Sequence, residues 1–228
     1  MEINIHEKTK EIKKHLRLSM NGIVSAHQRR QGLNYKINFG VEIPRLKELA
    51  SAHEKNRLLA ETLWKENIRE CKLLAIFLYP VEEFDISTAE KWITECEFTE
   101  IADHLSRILL AKLPDATKNS LQWISSNNEM FKYCGYSSLS NLFIFTKSEI
   151  FDSKEEKEYY NELKKTLHTP GTSSHPTQNA ANISLIRFTE IGKEQKARAC
   201  AEIKSWGIEK NTALNNLVEN LLDEENLL

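Results

Sequence analysis

The fold is decided by two consecutive segments, Leu58-Leu-Ala-Glu-Thr-Leu-Trp64 and Ile68-Arg-Glu-Cys-Lys-Leu-Leu-Ala-Ile-Phe-Leu78. Apolar residues recur at helical spacing in both segments, and only residues 65–67 separate them. From Leu73 to Leu78 the second segment is apolar on almost every side, as is expected of a helix with neighbours around most of its surface. The two segments therefore predict a short helix, a tight connection and a longer, buried helix.

The same arrangement recurs further along the chain. Trp64, Trp92 and Trp123 stand 28 and 31 residues apart, each near the end of a predicted short helix that a longer, more apolar helix follows. Recurring helix pairs are typical of solenoids, in which one pair buries its apolar face only against the next. We therefore predict an all-α fold, a HEAT-like repeat solenoid (α-α superhelix) of stacked antiparallel helix pairs, with the tryptophans as buried core anchors rather than ligand contacts. The predicted pairs are 58–64 with 68–78, 87–96 with 98–110, and 119–125 with 130–145.

The rest of the chain is predicted to be helical apart from two loops. One loop runs from Gly32 to Gly40, and Pro44 then opens a helix at a position where its missing N–H costs nothing. The other lies at about residues 168–177, which are rich in Pro, Gly, Ser and Thr, and is expected to be flexible. We predict a single domain over residues 1–228 with a frayed acidic end at 223–228. The remaining predicted helices are 5–18, 20–30, 155–167, 178–191, 194–206 and 212–222.

Composition excludes several classes of protein. The chain has 7 Gly and 5 Pro in 228 residues, too few for the frequent turns of a β-sandwich or barrel. The first residues lack the apolar core of a signal peptide, and no run approaches the ~18 apolar residues of a membrane span. The 4 cysteines lie far apart, which favours buried free thiols over a zinc site. We therefore expect a cytoplasmic protein with no membrane partner.

Motifs of common enzyme classes are missing from the sequence. It has no phosphate-binding Gly loop, H-E-x-x-H, G-x-S-x-G or EF-hand pattern, so we expect no metal and no cofactor. His104 adjoins Asp103, but neighbours on a helix point about 100° apart and do not form a dyad. Nucleophilic and metal-dependent enzymes are therefore poorly supported.

Charge is distributed unevenly along the chain. Residues 1–78 contain 15 Lys or Arg against 9 Asp or Glu, whereas the remainder contains 16 against 24. Such an asymmetry indicates an anionic partner on one side of the molecule. The alternative is that these side chains coat solvated helix faces.

Three stretches carry a resemblance to a known family. The run from Tyr35 to Ala50, Tyr-Lys-Ile-Asn-Phe-Gly-Val-Glu-Ile-Pro-Arg-Leu-Lys-Glu-Leu-Ala, resembles a segment of the DNA alkylation repair family, which comprises HEAT-like alkylpurine DNA glycosylases. The run from Leu63 to Ile76, Leu-Trp-Lys-Glu-Asn-Ile-Arg-Glu-Cys-Lys-Leu-Leu-Ala-Ile, is similar to another segment of that family. The similarity continues through 98–103 and fades after about residue 145, so it covers somewhat over half the chain.

The resemblance implies a concave basic surface that holds duplex DNA and excises N3- or N7-alkylated purines. A carboxylate and aromatic rings near the deoxyribose would stabilise the oxocarbenium-like charge that develops as the base leaves. Asp103 matches the catalytic carboxylate of the family, and its alternative role is to complement a helix dipole. Thr99 stands where an aromatic residue is expected, with Phe98 beside it as an aromatic substitute.

Two further site positions of the family also differ in this chain. Tyr133, with Lys132 beside it, replaces an arginine that contacts DNA, and Ser184 falls where a second aromatic residue is expected. Because the carboxylate alone is clearly retained, we predict a weak or degenerate alkylpurine DNA glycosylase, with excision feeble or absent.

The DNA-binding residues are predicted among the cations of the first part of the chain, because phosphate neutralisation requires Lys or Arg but no sequence code. Arg69 has an alternative in pairing with Glu66 or Glu70. The alternative function is a non-catalytic helical-repeat scaffold that binds a protein or peptide partner on its concave face. Oligomeric state has no signal in the sequence. The predicted DNA contacts are Arg29, Arg30, Lys36, Arg45, Lys47, Arg69 and Lys72, together with Lys132 and Tyr133.

Overall fold

A computed structural model describes residues 4–168, 171 and 173–206. Within those residues the secondary structure consists of α-helices and two short 3₁₀ turns, Val81–Glu83 and Leu110–Lys112, and includes no strand. The all-α prediction is confirmed. The helices are α1 Ile5–Leu18, α2 Gly22–Arg30, α3 Ile43–Ser51, α4 Arg57–Trp64, α5 Arg69–Leu78, α6 Ile86–Thr94, α7 Thr99–Ile108, α8 Ala116–Ile124, α9 Glu129–Thr146, α10 Ser153–His168, α11 His175–Thr189 and α12 Lys193–Ser205.

Short polar side chains fix where several helices begin. The side chains of Asn4, Asn21, Asn56, Asp85 and Asn128 each accept a hydrogen bond from a backbone N–H in the first turn of the following helix. Such a cap contributes about 1 kcal/mol, because it satisfies an amide that has no partner within the helix. The starts of α1, α2, α4, α6 and α9 are thus specified locally.

The three predicted short–long pairs correspond to α4 with α5, α6 with α7, and α8 with α9. Each first helix has its tryptophan within its last three residues, and Trp64, Trp92 and Trp123 are all buried. The indoles of Trp64 and Trp92 stack in parallel with their centroids 4.0 Å apart. Their burial confirms the core role, and their equivalence under superposition stays a prediction.

The chain divides into two compact units, Met1–Leu113 and Pro114–Leu228. In the first unit, α5 packs between α3 and α7, while α4 packs on α1 and α5. In the second unit, α9 packs against α8 and α11, and α11 also contacts α10 and α12. Phe143, Phe151, Tyr159 and Phe188 form an aromatic cluster at the centre of the second unit. The single domain over 1–228 stays a prediction.

Some predicted boundaries need correction. Phe98 precedes α7 as its N-cap residue with extended backbone angles, so it does not belong to the helix predicted over 98–110. Residues 175–177, predicted as loop, form the first turn of α11. Pro176 is tolerated there because it lacks an N–H at a position where the helix offers an N–H no partner. The predicted helix 212–222 and the acidic end 223–228 lie outside the described residues, as do residues 169, 170 and 172 of the second loop.

The cysteines agree with the prediction made for them. Cys71, Cys96, Cys134 and Cys200 are all buried and carry free thiols. Burial raises the pKa of the Cys71 and Cys96 thiols to about 12, so both remain protonated at neutral pH. Among the described helices, none combines the length and apolar character that a membrane crossing requires.

Candidate nucleic-acid interface

Arg69 lies at the start of α5 and is only 2% exposed. Its Nε and Nη2 donate to the two carboxylate oxygens of Glu100 on α7 at 2.8 and 2.5 Å, a bidentate arrangement. Its Nη1 donates to Oε1 of Glu70 at 3.1 Å and to the carbonyl oxygen of Val41 at 3.0 Å. All three nitrogens of the guanidinium are therefore engaged inside the protein, which corrects its prediction as a phosphate contact.

Four side chains form this cluster, which we call the Arg69 network: the buried Tyr35, Arg69 and Glu70 and the half-buried Glu100. The hydroxyl of Tyr35 donates to Oε2 of Glu100 at 3.0 Å. Burial alone would lower the pKa of Arg69, but the hydrogen bond and charge of Glu100, with the charge of Glu70, outweigh it and raise the pKa. Burial also acts to raise the pKa of Glu100, yet the hydrogen bond and charge of Arg69 prevail and lower it. The ion pair thus stays charged at neutral pH.

Glu70 connects this network to the loop between α2 and α3. Its Oε2 accepts a hydrogen bond from the amide of Phe39, and its Oε1 accepts one from the amide of Val41, both at 3.2 Å. The amide of Arg69 also donates to the carbonyl oxygen of Ile37 at 3.0 Å. The conformation of residues 37–41 is therefore held by groups at the start of α5, because buried amides need such partners.

The same loop holds helix α2 in place. The amide of Asn21 donates to the carbonyl oxygen of Phe39 at 2.9 Å, and the hydroxyl of Ser25 donates to that of Asn38 at 3.0 Å. Gly40 has φ +71°, and a Cβ on it would lie 2.2 Å from the carbonyl oxygen of Asn21. Glycine is therefore required where the loop passes against the start of α2.

Helix α2 carries cations on a stretch of chain without acidic residues. None of its side chains is buried, and Arg29, Arg30 and the nearby Lys36 are all exposed. Within the described residues these three side chains make no ion pair. Residues 12–41 contain six Lys or Arg and no Asp or Glu. The charge count over residues 1–78 conceals this concentration of positive charge, because it includes the acidic residues on either side. The exposed cations are thus uncompensated locally.

Helix α3 contributes two more predicted contacts. Arg45 and Lys47 are exposed, and Arg45 makes a surface ion pair with Glu48 at 2.7 Å. Lys47 lies close enough to His104 on α7 for its charge to lower the pKa of that imidazole. Lys47 also lines a shallow cleft together with Phe77 of α5 and Ile108 of α7, so it lies near that helix.

Asp103, the predicted catalytic carboxylate, is exposed in the second turn of α7. The first-turn acid that complements the helix dipole is Glu100 instead, so that alternative role fits Asp103 less well. Next to Asp103, burial and the charges of Arg107 and Lys47 lower the pKa of His104 to about 4. His104 is therefore neutral at pH 7.

Phe98, the predicted aromatic substitute, packs against Tyr35. Its ring is half-buried and packs edge-on against Tyr35 with the centroids 4.4 Å apart. Thr99, where the family has an aromatic residue, is the first residue of α7. The ring of Phe98 therefore adds to the packing around the Arg69 network.

Lys72 is half-buried beside the repeat tryptophan. Its Nζ lies 4.3 Å above the ring of Trp64 and donates to the carbonyl oxygen of Trp64 at 3.4 Å. Burial lowers its pKa. It borders a cleft of about 490 Å³ that is also lined by Glu66, Glu95 and Glu97. A cation among three carboxylates and an indole is less suited to a phosphate contact than Arg29 or Arg30.

The remaining predicted residues belong to the second unit. Lys132 and Tyr133 are half-buried in the first turns of α9. Ser184 is fully buried in α11, where its hydroxyl lies 2.8 Å from the hydroxyl of Tyr159 and donates to the carbonyl oxygen of Ala181. A ring at this position would have to displace the core, so position 184 does not present an aromatic group to a surface.

The family model described as DNA alkylation repair enzyme matches residues 6–164, and the chain belongs to that family. The match continues past residue 145, where the resemblance fades, and it stops before Ser184. The chain also resembles a solved structure reported as "a new family of proteins related to the HEAT-like repeat DNA glycosylases with affinity for branched DNA structures". The two share 19% identity over 95% of this chain and 94% of that one, with a TM-score of 0.79. The predicted HEAT-like fold is therefore confirmed. No curated protein matches the sequence.

Proposed function

We propose that this member of the DNA alkylation repair family binds DNA through its first unit and excises alkylated purines feebly or not at all. The observation that carries the proposal is the exposed set Arg29, Arg30 and Lys36, which makes no ion pair within the described residues and lies on a thirty-residue stretch that contains no acid. A cation without an acidic partner is available to neutralise a DNA phosphate. Each phosphate that it neutralises releases a counterion, which favours binding. The similar solved structure belongs to proteins with affinity for branched DNA, which makes branched DNA a candidate ligand beside duplex.

The second half of the proposal concerns the chemistry at Asp103. An oxocarbenium-like transition state is stabilised by a carboxylate most strongly where water is excluded. Asp103 is exposed, and the predicted aromatic neighbours are replaced by Thr99 and by Ser184, which is buried. Loss of a preorganised group typically costs on the order of 10²–10³ in rate.

Binding is tested by titrating labelled duplex with the wild-type chain and with Arg29→Gln/Arg30→Gln/Lys36→Gln between about 50 and 200 mM salt. The control is Lys65→Gln/Lys91→Gln/Lys112→Gln, which removes three other exposed cations of the first unit and has the same net charge. In the first variant alone, we expect the slope of log K against log salt to decrease by roughly 0.9 for each phosphate that is no longer neutralised. Equal losses of affinity in both variants, or no salt-sensitive binding by the wild type, would refute the proposed interface. Salt-insensitive binding of a protein would instead support the scaffold function.

Excision is tested by measuring the release of 7-methylguanine and 3-methyladenine from alkylated duplex, with the wild type beside Asp103→Asn. We expect little release from either protein. Robust release that the substitution abolishes would contradict the proposal and establish a glycosylase with Asp103 as its catalytic carboxylate. Release that the substitution leaves unchanged would exclude Asp103 as its source.

A further inference from the structure

Three large apolar side chains are strongly exposed at the turn between α1 and α2. Leu18, Met20 and Ile23 are 76%, 60% and 81% exposed, more than any other large hydrophobic residue in the described part of the chain. Single exposed apolar residues are common, but three within six residues indicate a contact surface. We call Leu18, Met20 and Ile23 the apolar tip.

The apolar tip is held in a defined position even though α2 buries no side chain. The side chain of Asn21 accepts hydrogen bonds from the amides of Ile23 and Val24 at 3.1 and 3.2 Å. The amide of Asn21 is bound by the carbonyl oxygen of Phe39, and Gln28 accepts a hydrogen bond from the side chain of Asn38 at 2.8 Å. Polar contacts thus fix the helix against its loop, and the apolar side chains remain directed away from a core.

The charge around the apolar tip selects the kind of partner. The tip lies inside the acid-free stretch 12–41, with Arg17 before Leu18 and Arg29 and Arg30 at the far end of α2. A surface that combines uncompensated cations with aliphatic side chains fits a polyanion that also offers apolar faces. Nucleic acid does so where base stacking is interrupted, because there a base face is free to meet an aliphatic side chain. In a continuous duplex those faces are covered.

We propose that the apolar tip contacts unstacked base faces at branch points of DNA, while the adjoining arginines contact the phosphates of the arms. This inference rests on the proposed DNA-binding function and adds a recognition element to it. The cations supply affinity for any DNA, whereas the tip supplies preference for DNA with an interrupted stack.

The test compares a three-way junction with a linear duplex of equal length, using the wild type, Met20→Ser/Ile23→Ser and the control Leu58→Ser/Ile86→Ser. The control residues are 59% and 41% exposed and lie on α4 and α6. We expect Met20→Ser/Ile23→Ser to weaken junction binding about tenfold with duplex binding within about twofold, since inserted apolar side chains act on interrupted stacks. The control should bind both as the wild type does. A 2-aminopurine beside the branch should fluoresce more strongly with wild type than with the tip variant, and Met20→Leu/Ile23→Leu should retain the effect.

Other outcomes separate the tip from the function on which it rests. Equal junction affinity for the wild type and tip variant, with duplex binding intact, would refute the tip and leave DNA binding standing. Absence of all DNA binding by the wild type would refute both. The tip variant could instead bind junctions as the wild type does, but lose binding to vesicles of anionic phospholipid or lose self-association in sedimentation. Either result would assign the tip to another partner and overturn the proposal.

Discussion

Two regions of the first unit use arginine in opposite ways. Arg69 is enclosed by Glu70, Glu100 and a backbone carbonyl, whereas Arg29 and Arg30 extend into solvent from a helix without buried side chains. In the sequence all three are cations in the basic first part of the chain. The number of cations in the sequence indicates an anionic partner. The positions of the carboxylates in the fold determine which of those cations are free of internal ion pairs and can contact that partner.

The two regions are also mechanically connected. A buried guanidinium loses its hydration, and the loss is offset only if carboxylates occupy its donors. Glu70 serves Arg69 on one side and the loop amides of Phe39 and Val41 on the other. The interior region therefore positions the exposed one, so substitutions in the two regions should affect stability and DNA binding differently.

The largest effect on stability is expected from Arg69→Met. It leaves the carboxylates of Glu70 and Glu100 without their shared cation, which should lower the free energy of unfolding by about 3–5 kcal/mol. Urea denaturation followed by circular dichroism measures this. Arg45→Ala, which breaks a surface ion pair, serves as the control and should change stability by less than about 1 kcal/mol. Equal effects of the two substitutions would contradict the contrast between the regions.

A smaller loss of stability is expected from Gly40→Ala, which tests whether the loop at residues 37–41 positions α2. The new methyl group would meet the carbonyl oxygen of Asn21 at a residue with positive φ. We expect a destabilisation of about 1–3 kcal/mol, together with weaker duplex binding as α2 is displaced. Gly32→Ala is the control, because it also has positive φ but has open space around it, and it should affect binding less. If both variants bound DNA equally well, the loop would not be positioning α2.

A pH-dependent effect is expected from His104, which faces Arg107 and Lys47 as well as Glu100, Arg69 and the ring of Phe77. Its pKa of about 4 in the folded chain lies below its ordinary value of 6.5, so the unfolded chain binds more protons between these values. Stability is therefore fullest above pH 6.5 and decreases as the pH falls toward 4. Allowing for solvent screening of a half-buried ring, His104→Gln should remove about 1–2 kcal/mol of this decrease. Denaturation at pH 7.5 and 5 measures it, and an unchanged pH dependence would contradict it.

The smallest effect on stability is expected for the exposed arginines of α2, although their loss should weaken DNA binding strongly. Arg29→Gln/Arg30→Gln should alter the free energy of unfolding by no more than about 0.5 kcal/mol, since neither side chain has a folded-state partner among the described residues. The same variant should still lose salt-sensitive affinity for duplex. A large loss of stability would mean that these arginines, like Arg69, are structural.

The fold could largely be predicted from the sequence because its signals are local. Helical periodicity places α1, α2 and α4–α12 to within about three residues of where they lie, and Pro44 marks the start of α3. The apolar pattern predicts Phe98 as part of α7, but its backbone is extended and it precedes the helix.

The candidate site was less predictable because its partners are distant in sequence. Of the two carboxylates considered for Arg69, Glu70 is correct, whereas Glu66 pairs with Lys13 at 2.9 Å. The main partner is Glu100, thirty-one residues away, and only the packing of α5 on α7 brings it to the guanidinium. The exposure of Leu18 and Ile23 was likewise hidden, since an apolar residue in a helical pattern is normally assigned to the core.

Helix α2 has no buried side chain, and this determines how it can open and close. It is held in place by hydrogen bonds to the loop at residues 37–41. That loop is in turn held by the carboxylate of Glu70 on α5. The amides of Phe39 and Val41 should therefore exchange with deuterium at a rate set by the opening of the interior cluster, and the amides of α2 at a faster one. A substitution in α5 would thus become visible first as increased mobility of a surface helix some forty residues earlier in the chain.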